Sequence, residues 1–460
     1  MNRNDKIANK TGLIFKTDWL ASNPVFYNLK TGSASHNINE VISSNTKSIF
    51  HQEGLHNFIN FGYSVFGQTP IKDVCFLPPS SSLHRNQDRS LRIEKLKDPY
   101  DKYCDYRLSE SDIFELIREK VQKWEKSLPS NQEIVLPLSG GFDSRLLLWC
   151  IKDKSRLRSY TYGLSNNQKN SIEVVRAQRL AEKFSIKWKH IQLGDFHNYF
   201  SEWNDMFGVS IQAHGMYHIE FYKKIRKDLL GETAFLSGIF GDVWAGSVPF
   251  SKLSRAEDLL KIGYTHGIRA NPKHLQIKPQ LELQNTFWEN NKKLLTNYQF
   301  QTITTVRLKI ILISYLMKTP SFFNFKSWTP YLDIDVAMAM MNLPKKRRYN
   351  RLWQKEFFSK VGLDLDKENL KGRYENTLDR QAMINLPLKP LDVQKFSTIF
   401  NKQYIEWINQ KTHLTELFPL QTRISNTPKV GGFLRLLGIR DKNMEAYYSY
   451  MCLKPLEHYL

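Results

Sequence analysis

The chain of 460 residues carries 66 Lys and Arg against 45 Asp and Glu, a formal charge of +21, with 41% hydrophobic and 24% charged residues. At roughly 100–200 residues per domain it has material for several sizeable cores, and the composition excludes a disordered or collagen-like chain. Apolar runs such as Ile310–Met317 and Ala337–Met341 fall far short of the roughly 20 residues of a membrane-spanning helix, so no transmembrane segment is expected.

The first residues, Met1-Asn2-Arg3-Asn4-Asp5-Lys6, are polar with no apolar stretch close behind, which argues against a secretory signal and for a cytoplasmic location. From Gly12 to Phe76 the pattern is strand-like: Leu13-Ile14-Phe15, Pro24-Val25-Phe26-Tyr27, a turn at Lys30-Thr31-Gly32, and a run from Glu40 to Phe50. This predicts a small β-rich piece. Pro78–Ser82 and the highly charged stretch Arg85–Lys102 read as an exposed connection, with a domain boundary near residue 108 that divides the chain into 1–108 and 109–460. Ser109 to Lys126 reads as a helix with Ser109 or Ser111 as its N-cap and Ile113, Leu116, Ile117 and Val121 on one face.

Beyond it the period changes. Glu133–Leu138 is a buried strand, Ser139-Gly140-Gly141 a turn, and Arg145–Lys152 an apolar helix. Ser159–Tyr162 is a second strand, Ile172–Phe184 an amphipathic helix and Trp188–Leu193 a third strand. A β-α-β-α-β order predicts an α/β fold with an open parallel sheet and a ligand site at the carboxyl ends of its strands. From Leu281 onward the chain reads as mostly helical, its many aromatic residues serving as core.

Three features are weighed and set low. Lys345-Lys346-Arg347-Arg348 is the densest basic run; it reads as a solvated loop after Pro344, with anion binding as the lesser alternative. Cys75, Cys104, Cys150 and Cys452 are far apart without metal-ligand spacing, which predicts reduced thiols rather than disulfides or zinc. His214 and His218 stand one helical turn apart but lack a third ligand nearby, so one exposed and one hydrogen-bonded histidine is expected.

The stretch that carries chemistry is Leu138-Ser139-Gly140-Gly141-Phe142-Asp143-Ser144-Arg145, at a strand-to-helix junction. Two glycines allow a tight turn whose N–H groups approach a phosphate, and the following helix points its positive end at the same place. Ser139 and Ser144 add hydroxyl donors, and Asp143 beside bound phosphates makes sense as a magnesium ligand. The alternative is a ligand-free glycine turn with Asp143 as a helix-start carboxylate.

This Ser-Gly-Gly-x-Asp-Ser loop resembles the signature of the PP-loop, or N-type ATP pyrophosphatase, superfamily, and residues 135–145 look like its asparagine synthetase branch. The resemblance implies cleavage of ATP to AMP and pyrophosphate, with a carboxylate activated as its acyl-adenylate for attack by an amine. It implies ATP and magnesium as cofactors, a PP-loop domain with a helical C-terminal half, and backbone at Leu138, Tyr162 and Gly163 around the nucleoside. Ser237 to Gly246 is similar to the family's second loop, so Gly241 would lie at the nucleotide and Asp242 would share magnesium with Asp143. Pro330-Tyr331-Leu332-Asp333 resembles a segment of the helical half. The N-terminal piece looks like the late strands of the family's glutamine-hydrolysing domain; the nucleophilic cysteine has no counterpart, so no glutaminase activity is expected.

Departures matter too. Ile239 and Val243 stand where the family has acids, and Lys371, Arg373 and Lys429 are equal candidates for the cation that meets pyrophosphate. No catalytic side chain is assigned. The partners implied are a small-molecule or sugar-linked carboxylate, ammonia or another amine, and a separate glutaminase. A narrower likeness, to proteins of bacterial surface-polysaccharide clusters, points to amidation of a uronic acid. The charge of +21 suits an anionic substrate and leaves room for peripheral membrane contact. No nucleic-acid partner is expected; the alternatives kept are a tRNA-modifying PP-loop enzyme and a non-catalytic ATP-binding or scaffold descendant.

Overall fold

The computed structural model describes residues 12–42, 49–264, 266–413 and 441–460. Its front region holds β1 (Gly12–Lys16), β2 (Phe26–Asn28), β3 (Ala34–Ser35), β4 (Val74–Phe76), β5 (Ser81–Arg85) and β6 (Leu91–Lys95). These form two three-stranded antiparallel sheets in the orders β1-β5-β6 and β3-β2-β4. The charged stretch after Arg85 is therefore not a loose connection but the outer strand of a hairpin, turning at Asn86–Ser90 with Arg89 at φ +68°. Charges on an edge strand face water and discourage pairing with another chain, which is why a strand reads here like a linker.

The run from Glu40 to Phe50 is not a strand where it is described: Ile38–Glu40 is one 3-10 turn, Phe50 makes a single bridge to Ile71, and residues 43–48 lie outside the described residues. Helix α1 (Gln52–Phe61) follows. The His51 ring accepts the Gly54 N–H at 3.0 Å, and Gly62 ends the helix at φ +83°. Its buried Leu55, Phe58 and Ile59 follow helical spacing, a signal overridden by the strand-like runs on both sides.

The central sheet is wholly parallel, ordered β11-β10-β7-β8-β9, from β7 (Ile134–Pro137), β8 (Leu157–Thr161), β9 (Lys187–His190), β10 (Thr233–Leu236) and β11 (Phe325–Trp328). From β7 the chain moves outward through β8 and β9, then returns to place β10 on the other side of β7. The carboxyl end of β7 thus lies where the winding reverses, the crevice that open α/β sheets use for ligands. Helix α2 (Glu110–Ser127) is capped by Ser109, whose hydroxyl accepts the Asp112 N–H at 3.2 Å; it buries Ile113, Phe114, Ile117 and Val121. Its Glu125 is 4% exposed and takes the Lys152 and Asp153 N–H groups at 2.8 Å each, fixing the turn after α3 (Phe142–Cys150). Helix α4 (Ile172–Phe184) has the bounds its periodicity predicts.

One apolar core extends from Trp19 to Tyr459. The Trp19 indole donates to the Leu332 carbonyl at 3.0 Å, and Arg307 donates to the Trp19 carbonyl at 2.7 and 3.0 Å. Among the described residues no single helix is long and apolar enough to cross a membrane; a pair that passes only jointly, Tyr298–Leu308 with Ile310–Ser321, is bent by 59°.

Candidate active site

Ile134, Val135 and Leu136 of β7 are fully buried, so the strand ends at a fixed depth. The Leu138 N–H donates to the Tyr160 carbonyl at 3.0 Å and the Thr161 hydroxyl donates to the Leu138 carbonyl, locking the loop's entry to β8. Gly140 turns at φ +70°, and a Cβ there would come within 2.3 Å of Arg176 Cβ. Gly141 caps α3 with no side-chain acceptor, leaving the first-turn N–H groups turned outward. Arg145 is 1% exposed and holds the loop from behind, donating to the Gly140 carbonyl at 2.6 Å and the Leu363 carbonyl at 2.9 Å. Ser139 and Ser144 hydroxyls face each other at 3.4 Å.

Asp143 sits beneath this loop. Its Oδ1 is enclosed without a hydrogen-bond partner, and its Oδ2 lies 3.4 Å from an Arg351 N–H donor. Burial pushes its pKa up to about 7, the nearby Asp242 adds to the rise and Arg351 opposes it. The second loop lies directly against the first: a Cβ on Gly241 would fall 2.7 Å from Asp143 Oδ1, and one on Gly238 would be 3.4 Å from Asp143 Cβ. Asp242 is half exposed, accepts the Ser247 hydroxyl at 3.1 Å and lies 3.9 Å from Arg351 Nη2.

Asp143 and Asp242 fit a magnesium site. An orphaned buried carboxylate oxygen and a second carboxylate sharing one arginine are the environment a divalent cation relieves, and magnesium takes one or two carboxylates and completes its shell with phosphate oxygens. Among the described residues no group of three or more His, Cys, Asp or Glu could hold a metal.

A cavity of about 380 Å³ opens between the carboxyl ends of β7 and β8. Leu138, Ser139, Gly141, Asp143, Ser144 and Tyr162 line it, as do Thr161, Gly238 and His218. Gly140, Gly163, Gly241 and Asp242 do not. Gly163 serves the turn instead, since a Cβ there would meet the Gln168 carbonyl at 2.2 Å.

Other expectations are corrected. His214 is hydrogen-bonded, its Nε2 at 2.9 and 3.1 Å from the Asp379 carboxylate, but His218 is 9% exposed rather than open. The basic run is a helical turn, Lys345–Arg348, rather than a solvated loop. Arg347 pairs with Glu110 at 2.6 Å and Glu356 at 2.5 Å, and Arg348 stacks 3.8 Å over Tyr298 while donating to the Leu343 carbonyl. Asp333 of the Pro-Tyr-Leu-Asp segment caps the helix Ile334–Met341 and pairs with Lys120 at 2.5 Å. Its neighbour Tyr331 belongs to the site's floor, receiving the Trp244 indole on its carbonyl at 2.8 Å. Ile239 and Val243 are half-buried against the core, leaving that side of the second loop apolar. Arg373 bonds through its backbone to Asn170 and Ile172 at the start of α4, while Lys429 lies outside the described residues.

Among the described residues, Arg351 is the cation paired with both acids, and Lys309 lies within electrostatic reach of Asp242. Asn350 and Arg351 are both left-handed, at φ +49° and +54°, a conformation that costs an L-residue roughly 1–2 kcal/mol. Arg351 stacks 5.6 Å over Phe142 of the first loop. Lys309 stands at the break between the helices Tyr298–Leu308 and Ile310–Ile313; burial lowers its pKa and Asp242 is the acid that faces it. Neither shows a local pattern. Each is recruited across the fold, Arg351 from 208 residues after Asp143.

The sequence profile of the asparagine synthase family matches residues 117–365, just over half of the chain. The chain belongs to the asparagine synthase family. The matched span runs from within α2 past Arg351, so both loops and both cations fall inside the asparagine synthase domain. Membership supports an ATP-dependent ligase that forms amide bonds as the general class of activity. Among solved structures, the NH3-dependent NAD synthetase from Campylobacter jejuni, in complex with the nitrate ion, aligns with 47% of this chain and 96% of its own, at 15% identity and a TM-score of 0.23. No curated protein matches the chain.

Proposed function

We propose that this asparagine synthase domain activates a carboxylate as its acyl-adenylate and passes the acyl group to ammonia or another amine. ATP enters the cavity with its base against Leu138 and Tyr162 and its phosphates on the loop from Ser139 to Ser144. Asp143 and Asp242 would hold magnesium, which supplies charge neutralisation at the phosphates when bound. A carboxylate oxygen of the acceptor attacks the α-phosphorus, the bond to the bridging oxygen breaks, and pyrophosphate leaves. Arg351 and Lys309 are the cations placed to meet that charge, a task for which guanidinium, with five N–H donors, is well suited. The amine then attacks the acyl carbon and AMP leaves.

The observation that carries this reading is Asp143: a half-buried carboxylate with one enclosed, orphaned oxygen under a glycine loop, facing a second carboxylate and an arginine. Asp143→Asn tests it. Pyrophosphate release should fall by about 10³-fold or more while the fold persists; unchanged release would reject the site.

The acceptor in this proposal is a small or sugar-linked carboxylate; a uronic acid of surface polysaccharide is the narrower case within it, and a chain of charge +21 suits an anionic substrate of either kind. The front sheets act as the remnant of a glutaminase domain without hydrolysis of their own, so ammonia comes from solution or a separate glutaminase, or the nucleophile is a larger amine.

A further inference from the structure

The inner end of the cavity is built differently from its mouth. His218, in the first turn of α5 (Tyr217–Arg226), lines it beside Tyr162, Phe221 and Tyr222. Its ring lies 4.2 Å from that of Tyr217, 5.4 Å from Tyr315, 6.1 Å from Tyr222 and 6.2 Å from Tyr162. No carboxylate pairs with it; the nearest titratable neighbour of note, His214, is already bonded to Asp379. The residue is 9% exposed, yet Nδ1 is enclosed with no well-aligned hydrogen bond, and no protein group bonds Nε2. A largely buried imidazole whose Nε2 has no protein partner is expensive unless something that enters the cavity bonds to it.

Its protonation is settled by its surroundings. Enclosure among aromatic rings pushes the pKa down to about 3, so the ring is neutral at physiological pH. The Gly215 carbonyl, one turn back, faces the ring and favours a proton there. A carbonyl only accepts, and Nδ1 is the ring nitrogen on the backbone side, so this neighbour favours the hydrogen at Nδ1 and a lone pair on Nε2, which is the tautomer the proposal uses.

We propose that His218 is the base-selecting residue of the nucleotide pocket, its Nε2 accepting a hydrogen bond from the exocyclic amino group of adenine. A 6-oxopurine turns an acceptor oxygen to the same place, leaving two buried lone pairs facing each other, and a purine without a 6-substituent leaves Nε2 unpaired. A site built to bond one polar group discriminates sharply against analogues that lack it. The inference rests on the reading that the cavity holds ATP.

Equilibrium dialysis of the full chain with magnesium and, in turn, ATP, ITP and purine riboside 5′-triphosphate tests it, using the wild type, His218→Phe and His218→Gln. The wild type should bind ATP at least about tenfold more tightly than either analogue. His218→Phe should lose that factor for ATP and leave purine riboside triphosphate unchanged, and His218→Gln, which retains an acceptor, should recover part of it. Equal weakening of all three nucleotides, or an unchanged ATP to ITP ratio in His218→Phe, would overturn the assignment and make His218 structural. Wild-type binding without discrimination rejects the role of His218 alone; no nucleotide binding by the wild type rejects the ATP site and this inference with it.

Discussion

The two ends of the cavity solve opposite problems. At the loop end, carboxylates and cations meet: Asp143 and Asp242 share Arg351 at 3.4 and 3.9 Å, and Lys309 feels Asp242 from a helix break. At the inner end Tyr162, Phe221, Tyr222 and His218 enclose the space with rings and offer one neutral imidazole. In the proposed reaction the first end deals with charge that appears and departs, and its groups stand at distances longer than good hydrogen bonds, with one arginine divided between two acids. The second would hold a flat group between rings. Charge is managed by spare donors, and shape by packing.

Breaking the charged end should have the largest effect after loss of Asp143 itself. Arg351→Ala removes the guanidinium common to both acids; kcat for pyrophosphate release should fall by about 10²-fold, with Arg351→Lys recovering part of it, as measured by steady-state assay. An effect on KM for ATP alone would make Arg351 a binding group rather than one that meets the departing charge.

The aromatic end should respond to acid. The His218 pKa is depressed from 6.5 to about 3, so the unfolded chain takes up a proton that the folded chain refuses. Stability that is fully present above pH 6.5 is therefore lost as pH falls toward 3. At pH 5 this costs about 2 kcal/mol, and urea unfolding of His218→Asn at pH 7 and pH 5 should show a correspondingly smaller acid penalty than the wild type. His197, similarly buried and shifted down to about 4, retains its own share in both proteins.

The smallest effect sharpens the border of the site. Asp333 lies close in sequence to Tyr331 but caps a helix and pairs with Lys120, so Asp333→Ala should cost about 1 kcal/mol of stability, read by denaturant titration, and leave kcat unchanged.

The same division explains what was legible beforehand. Strand β7, the glycine loop and α4 carry their information locally, in a buried run, two glycines before Asp143 and a helical period from Ile172 to Phe184. The alternation that follows β7 fixes the parallel sheet and the place of the site. Strand β10 escapes because a four-residue buried run looks the same whether it ends as strand or helix, and β11 because only Phe325 of its four residues is buried, so no strand pattern stands out. Helix α3 starts three residues earlier than its apolar stretch suggests, because the polar residues of the loop form its first turn. Arg351 follows a basic run whose own arginines go to Glu110, Glu356 and Leu343, and nothing in the linear pattern separates it from them. His218 is singled out in the sequence only for its spacing from His214, and its meaning comes from the rings around it.

The most direct measurement is incubation of the purified chain with magnesium, γ-labelled ATP, ammonium and a panel of carboxylates that includes aspartate and sugar uronates, following labelled pyrophosphate against orthophosphate. Pyrophosphate that depends on one carboxylate and disappears in Asp143→Asn is the expected result. Orthophosphate as the labelled product, or pyrophosphate indifferent to Asp143, would contradict adenylation at this site.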